Sequence, residues 1–179
     1  MSVSIDTIVS EFKKSGVAKP NFYKIEIFDY AKVATQDITF YAKATTTPTF
    51  SIKEMQVPYM GRMLKLPLTS RLYEDWTVTF IADENYYNRK FFEKWHSAIN
   101  DHLDNSLNVP LETYILSNIN VILLNHNSTA AFSAEIHNFI LEKAFPKEIG
   151  PINLGYDQNN TVSEFTVTFA YNNLNLPSI

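Results

Sequence analysis

The sequence predicts a mainly β protein with one main helix: an antiparallel β-sandwich or barrel, a flanking α-helix, a long hairpin and a short N-terminal helix. Three observations carry this. Several short runs alternate apolar and polar residues, most clearly Trp76, Val78 and Phe80 against Thr77, Thr79 and Ile81, which is the period of a strand with two different faces. The stretch that follows changes to fourfold spacing, with Tyr87 (or Asn88), Phe91, Trp95 and Ile99 on one helical stripe. The chain has 13 Phe and 10 Tyr but only 4 Gly, a composition suited to a β-rich core with few tight backbone approaches.

The elements follow in order. Ile5, Ile8, Val9 and Phe12 keep helical spacing and Gly16 is a suitable terminator, so residues 4–12 read as a short helix. A helix this short needs something to dock on. Pro20 and Asn21 break into a strand over 22–28, and residues 37–44 alternate again. Pro48 lacks a ladder donor, so 45–48 is a poor central strand. Strands over 50–57 and 63–66 flank Pro58 to Arg62, giving a long hairpin with Gly61 near its tip. Its apolar residues, on both faces, are Ile52, Met55, Val57, Tyr59, Met60, Met63, Leu64 and Leu66. A projecting arm of that kind needs a partner, unless it folds back on its own core.

After the Trp76 strand, Asp83 stands where an N-cap belongs, since its carboxylate can accept free N–H groups and meets the positive end of the helix dipole. Residues 103–109 read as loop, 115–124 as β structure and 125–128 as a turn. Residues 131–141 read as a strand, with a helix as the alternative. Residues 142–150 form a Pro-containing connection, 151–156 a short strand, 157–160 a turn and 162–171 the closing strand. No repeat, linker or low-complexity tract divides the chain, and a single domain over 1–179 is expected. The expected core is Trp76, Val78, Phe80, Phe91, Trp95, Ile99, Phe165, Val167 and Phe169.

Composition excludes several classes. There is no cysteine, so no disulfide framework and no thiolate site. Neither a Gly-rich phosphate cradle nor a secretory signal is visible, and no apolar run approaches bilayer length. Of the four histidines, only His96 and His102 are near in sequence, at a spacing unlike a helical zinc motif. Glu74–Asp75, read as strand neighbours facing opposite ways, and Asp83–Glu84, read as capping, do not form a catalytic pair. No catalytic, metal or cofactor site is expected. The net charge of −4 is uneven: residues 1–100 hold 13 Lys and Arg against 11 Asp and Glu, while residues 101–179 hold 2 against 8. That asymmetry fits complementary patches in a self-assembling ring, or an ordinary solvated surface. It leaves no basic stripe for conventional DNA binding.

Four blocks carry a resemblance to a known family. Ala18-Lys19-Pro20-Asn21 opens the first strand. Val57-Pro58-Tyr59-Met60-Gly61-Arg62, with Leu64 and Leu66, forms a hairpin tip and return. Asp75-Trp76 leads through the helix to Trp95. Asp157-Gln158-Asn159-Asn160 precedes Phe165-Thr166-Val167-Thr168-Phe169. In this order they resemble the tail tube proteins of contractile-tailed bacteriophages. The resemblance implies a structural virion protein, assembled in the bacterial host cytoplasm. It implies hexameric rings stacked into an inner tube, a surrounding sheath, baseplate and tail-terminator partners, and DNA passing through the lumen without specific binding. Residues 103–127 and the tail after Tyr171 depart from the pattern. A baseplate-proximal tube initiator or adaptor, or the tube of a phage-like injection system, would carry the same blocks. A small soluble β-barrel binding module is the alternative from a different class. On the tube reading, Ile52, Met55, Val57, Tyr59, Met60, Gly61, Arg62, Met63, Leu64 and Leu66 form a subunit interface.

Overall fold

The computed structural model describes residues 5–6, 9–10, 12, 18–28, 41–100, 106, 118–124, 135–158 and 161–177. The expected strand at 37–40, the loop at 103–105 and 107–109, the β structure at 115–117, the turn at 125–128 and the strand start at 131–134 lie outside these residues. Ile5, Asp6, Val9, Ser10 and Phe12 are helical and exposed.

Two four-stranded antiparallel sheets make the body. The first is ordered β1 (Tyr23–Phe28), β6 (Asn118–Leu124), β7 (Glu135–Glu142), β10 (Asn173–Asn175). The second is ordered β2 (Ala42–Thr45), β5 (Trp76–Ile81), β9 (Glu164–Ala170), β8 (Phe145–Ile149). A separate hairpin pairs β3 (Phe50–Tyr59) with β4 (Arg62–Tyr73). The body's helix, α1, spans Tyr87–Ile99.

Alternation decides which face each strand buries. Trp76, Val78 and Phe80 of β5 lie opposite Phe169, Val167 and Phe165 of β9, and all six are buried. Ile25, Ile27, Ile119, Val121 and Leu141 bring in the first sheet, and Phe92 and Trp95 of α1 complete the cluster. Phe92 meets Phe80 at 5.0 Å, Phe169 at 5.9 Å and Phe165 at 6.2 Å between ring centroids. Tilted and edge-on contacts of this kind add to the burial of the rings themselves.

The helix differs from its expected form in two ways. It begins at Tyr87, not directly after Asp83, because a turn closed by Tyr86 N–H to Asp83 C=O at 2.9 Å comes first and Tyr86 takes a left-handed conformation. Asp83 still accepts the Asn88 N–H at 3.1 Å, so its capping chemistry reaches across that turn. The stripe also shifts by one residue. Asn88, Phe92 and Trp95 are buried, Phe91 and Ile99 pack at the rim of the core, and Tyr87 is exposed. Asn88 is 1 % exposed and fully engaged: its Nδ2 donates to Ile81 C=O at 2.5 Å and its Oδ1 accepts the Arg89 N–H at 2.8 Å. Arg89 then donates to Gly150 C=O at 2.9 Å and lies 5.7 Å from the Phe165 ring centroid. This tethers the start of the helix to both β8 and β9.

Four further expectations are corrected. Residues 145–149 form strand β8, not a connection; at a sheet edge Pro146 is tolerated, and the register shifts between Pro146 and Glu148. Residues 151–156 are not a strand: Gly150 N–H makes the last bond, to Thr166 C=O at 2.7 Å, and the chain then leaves the ladder. Glu74 and Asp75 lie between β4 and β5, outside any strand. The closing strand ends at Ala170, and the chain crosses back to the first sheet as β10. There Leu174 is buried and the Asn173 and Asn175 amides donate to Glu142 at 2.8 and 3.3 Å.

Phe92→Ala and Trp95→Ala should each cost about 3–5 kcal/mol, the loss typical of a large core aromatic. Urea unfolding of the isolated chain checks this, and an unchanged midpoint would place the stripe outside the core. Asp83→Ala should cost about 1 kcal/mol through the lost cap.

Candidate assembly surfaces

The hairpin is an arm. Its strands are ten and twelve residues long and pair only with each other. At ~3.4 Å per residue the arm spans about 34 Å. Both of its faces are open, apart from the half-buried Val57 and Tyr73. The return strand runs to Tyr73, well past Leu66, because Pro67 sits beside a register shift between Ile52 and Glu54 that absorbs it. At the tip, Met60 (φ 47°) and Gly61 (φ 74°) take positive φ in succession, as a two-residue hairpin turn of the primed type requires. Met60 is 87 % exposed there.

The register sorts the arm's side chains in a way that the sequence alone does not. Directly opposed residues share a face. Met55 opposes Leu66, Val57 opposes Leu64 and Tyr59 opposes Arg62, giving one continuous apolar strip. Glu54 opposes Pro67, Gln56 opposes Lys65 and Pro58 opposes Met63 on the other face. That second face carries the Lys65–Glu54 ion pair at 2.9 Å, and the Lys65 ammonium, with help from the Gln56 amide, holds the Glu54 carboxyl below its usual range. Ile52 and Met63 belong to this second face, so apolar residues occur on both sides as expected, but only the first face carries an unbroken apolar run, formed by Met55, Val57, Tyr59, Leu64 and Leu66. Arg62 and Lys53 flank that strip, and neither has an ion pair among the described residues.

The root of the arm is fixed to the body. Trp76 Nε1 donates to Thr46 C=O at 2.6 Å, Tyr171 OH to Thr49 C=O at 3.1 Å, and Tyr73 OH to Asn173 Oδ1 at 3.1 Å. Pro48 is buried between these ties. Burial pushes the Tyr171 hydroxyl up to about 12, so it stays a neutral donor at any ordinary pH.

The body has open flanks. β1 and β2 are edge strands of their sheets and lie side by side, with Tyr23 OH donating to Lys43 C=O at 2.8 Å. A cleft of about 890 Å³ lies between them, walled by residues 20–25, 42–45 and Leu124. β10 and β8 are the opposite edges. The outer face of the second sheet is rich in threonine: Thr77 opposes Thr168, hydroxyl to hydroxyl at 3.1 Å, and Thr79 opposes Thr166. Lys43 and Glu164 close as an ion pair at 2.6 Å. Among the described residues, no group of three His, Asp or Glu side chains could hold a metal ion, and no helix is long and apolar enough to cross a membrane. His102 and His126 lie outside the described residues.

An uncovered apolar arm on a rigid root, beside open strand edges, is what a structural subunit presents. The chain belongs to the phage tail tube protein family, which it matches over residues 2–176. It is 27 % identical over 166 residues to the tail tube protein gp19 of Enterobacteria phage T4, covering 93 % of this chain and 96 % of that one. In solved structures, a chain of the anti-feeding prophage baseplate superposes with a TM-score of 0.64 at 11 % identity, covering 89 % of this chain and 95 % of that one. A chain of the sheath–tube complex of an extracellular contractile injection system, PVC, in the extended state gives 0.61 at 11 % identity, covering 98 % of both chains. These likenesses carry the fold.

Sequence reasoning missed Phe92, β8, β10 and the sorting of the arm's side chains between its two faces, and it offered Asn88 only as an alternative to Tyr87. The i, i+4, i+7 set Asn88, Phe92 and Trp95 was available at the helix; the arm's faces required the register.

Tyr171→Phe should loosen the arm's root by ~0.5–1.5 kcal/mol, the usual net value of one hydrogen bond. Hydrogen exchange should quicken in residues 46–52 while the core of β5 and β9 is unaffected; unchanged exchange at the root would show that the tie contributes nothing.

Proposed function

We propose that this chain is a non-enzymatic building block of a phage tail tube, with copies closing into rings of six and rings stacking into a hollow cylinder. The observation that carries the proposal is the arm: an apolar strip on a rigid root, with nothing among the described residues to cover it. Two features support the ring. The edges β1 and β2 lie on one flank and β8 and β10 on the other, so the contact is head to tail, and a head-to-tail contact closes when its rotation divides a full turn. Closure would pair edges that otherwise stay open to any passing strand. The sheath, baseplate and terminator of a contractile tail are the partners this assignment brings, with the virion as its location.

The passage for DNA would be walled by the threonine face of the second sheet, whose outward side meets neither α1 nor the first sheet. Its hydroxyls are neutral and its Lys43 is already paired with Glu164. Each phosphate contact made would have to break again as DNA advances, so a bore without free cations lets the duplex slide.

Two results test this. Purified chain should form concentration-dependent polymers visible as tubes by negative-stain microscopy, and Leu64→Asp should leave a folded monomer while abolishing polymer, because a carboxylate in a dry contact costs several kcal/mol. A Leu64→Asp chain that builds tubes of normal length would show that the arm is not an interface. Assembled tubes should also pass over immobilised duplex DNA at low ionic strength without retention, where attraction is least screened. Tight, salt-sensitive retention would indicate a basic bore built from Lys43, Lys53, Arg62 and Lys65.

A further inference from the structure

The chain crosses between its two sheets twice at one corner. β7 ends at Glu142 and passes through Lys143 and Ala144 into β8, while β9 ends at Ala170 and passes through Tyr171 and Asn172 into β10. The two crossings are bonded to each other: Asn172 N–H donates to Glu142 C=O at 3.2 Å, and Asn173 stands opposite Glu142 in the ladder. The arm leaves the body at this same corner. Tyr171 OH holds its entry through Thr49 C=O, and Asn173 Oδ1 holds its exit by accepting the Tyr73 hydroxyl, both at 3.1 Å. The Tyr73 and Tyr171 rings lie 5.7 Å apart between centroids. The last strand and its crossing therefore reach both sides of the arm's root.

We propose that Glu142 is a positioning residue for the arm: acting through Asn173 on Tyr73, it sets the direction in which the arm leaves the body. Its carboxylate accepts the Asn173 amide nitrogen at 2.8 Å and the Asn175 amide nitrogen at 3.3 Å. A carboxylate can only accept, so it holds the Asn173 nitrogen towards itself and turns the Oδ1 of the same amide to Tyr73. The reversed amide would set oxygen against oxygen at Glu142. Trp76 and Tyr171 both hold the entry side, at Thr46 and Thr49, and an arm held on one side only can pivot there. The Asp75–Lys147 ion pair follows the exit at 2.5 Å, but its side chains are 42 % and 57 % exposed, where such a pair holds little. The Asn173 bond is thus the second fixed point. Leverage gives it weight: along an arm of about 34 Å, a swing of roughly ten degrees at the root carries the tip about 6 Å. This clamp belongs to the single chain and stands whether or not copies assemble.

The experiment reads the arm's direction in the monomer. Lys53→Cys near the start of β3 and Lys94→Cys on α1, both exposed, carry spin labels in a chain that has no other cysteine, and pulsed electron paramagnetic resonance gives the distribution of distances between them. Glu142→Ala and Tyr73→Phe should each broaden that distribution to the same width, and the double variant should be no broader than either, because both break one path. Thermal melting confirms that each variant is folded; Asn173→Ala, at an exposed position, makes the same test if Glu142→Ala does not fold. A distribution as narrow in Glu142→Ala (or Asn173→Ala) as in the parent overturns the proposal. So does a double variant broader than each single one, since Glu142 would then act by a route that bypasses Tyr73.

Discussion

Everything in this molecule depends on the aromatic seam where α1 meets the second sheet. Phe92 and Trp95 pack on Phe80, Phe165 and Phe169, with Trp95 and Phe169 centroids 6.3 Å apart. The seam fixes the helix, and Asn88 and Arg89 at the start of that helix fix the ends of β5 and β8. A subunit under load must not shear, and a close-packed aromatic core resists shear, even though the buried Trp95 Nε1 has no hydrogen-bond partner among the described residues.

The arm obeys the opposite rule. It buries almost nothing, so among the described residues little beyond its own ladder, the Lys65–Glu54 pair and the ties at its root opposes its fraying, and a two-stranded ribbon is marginal in water by itself. Its root is held by Trp76, Tyr73 and Tyr171, all belonging to the body or bonded to it. The body therefore delivers the arm in one direction, with its apolar strip exposed. Pre-setting the direction lowers the ordering cost at the moment of assembly. It also ties the two halves of the design: loosening the core at Trp76 would misdirect the arm.

Much of this was legible in the sequence, and the misses have physical causes. Trp76, Val78 and Phe80 declare their strand because every second residue differs in polarity. The arm's existence is legible from apolar residues around a Gly-containing tip. Its two faces are not, because facing depends on which residues oppose each other, and the register shift near Pro67 comes from pairing. Phe91 and Phe92 are adjacent, so the choice between them turns on where the helix begins; the left-handed turn at Tyr86 sets that start, and buried Asn88 disguises the true stripe as polar. Proline hid β8, since a missing donor matters only inside a sheet. Asparagines hid β10, where they serve Glu142 through their side chains.

The central claim is that the arm is uncovered in the single chain and covered by another copy in the assembly. Hydrogen exchange measured on monomer and on assembled tubes, residue range by residue range, addresses it directly. The account predicts that amides of residues 55–66 exchange fast in the monomer and become strongly protected in tubes, while β5 and β9 are slow in both. Arm amides that exchange equally fast in tube and monomer would contradict it.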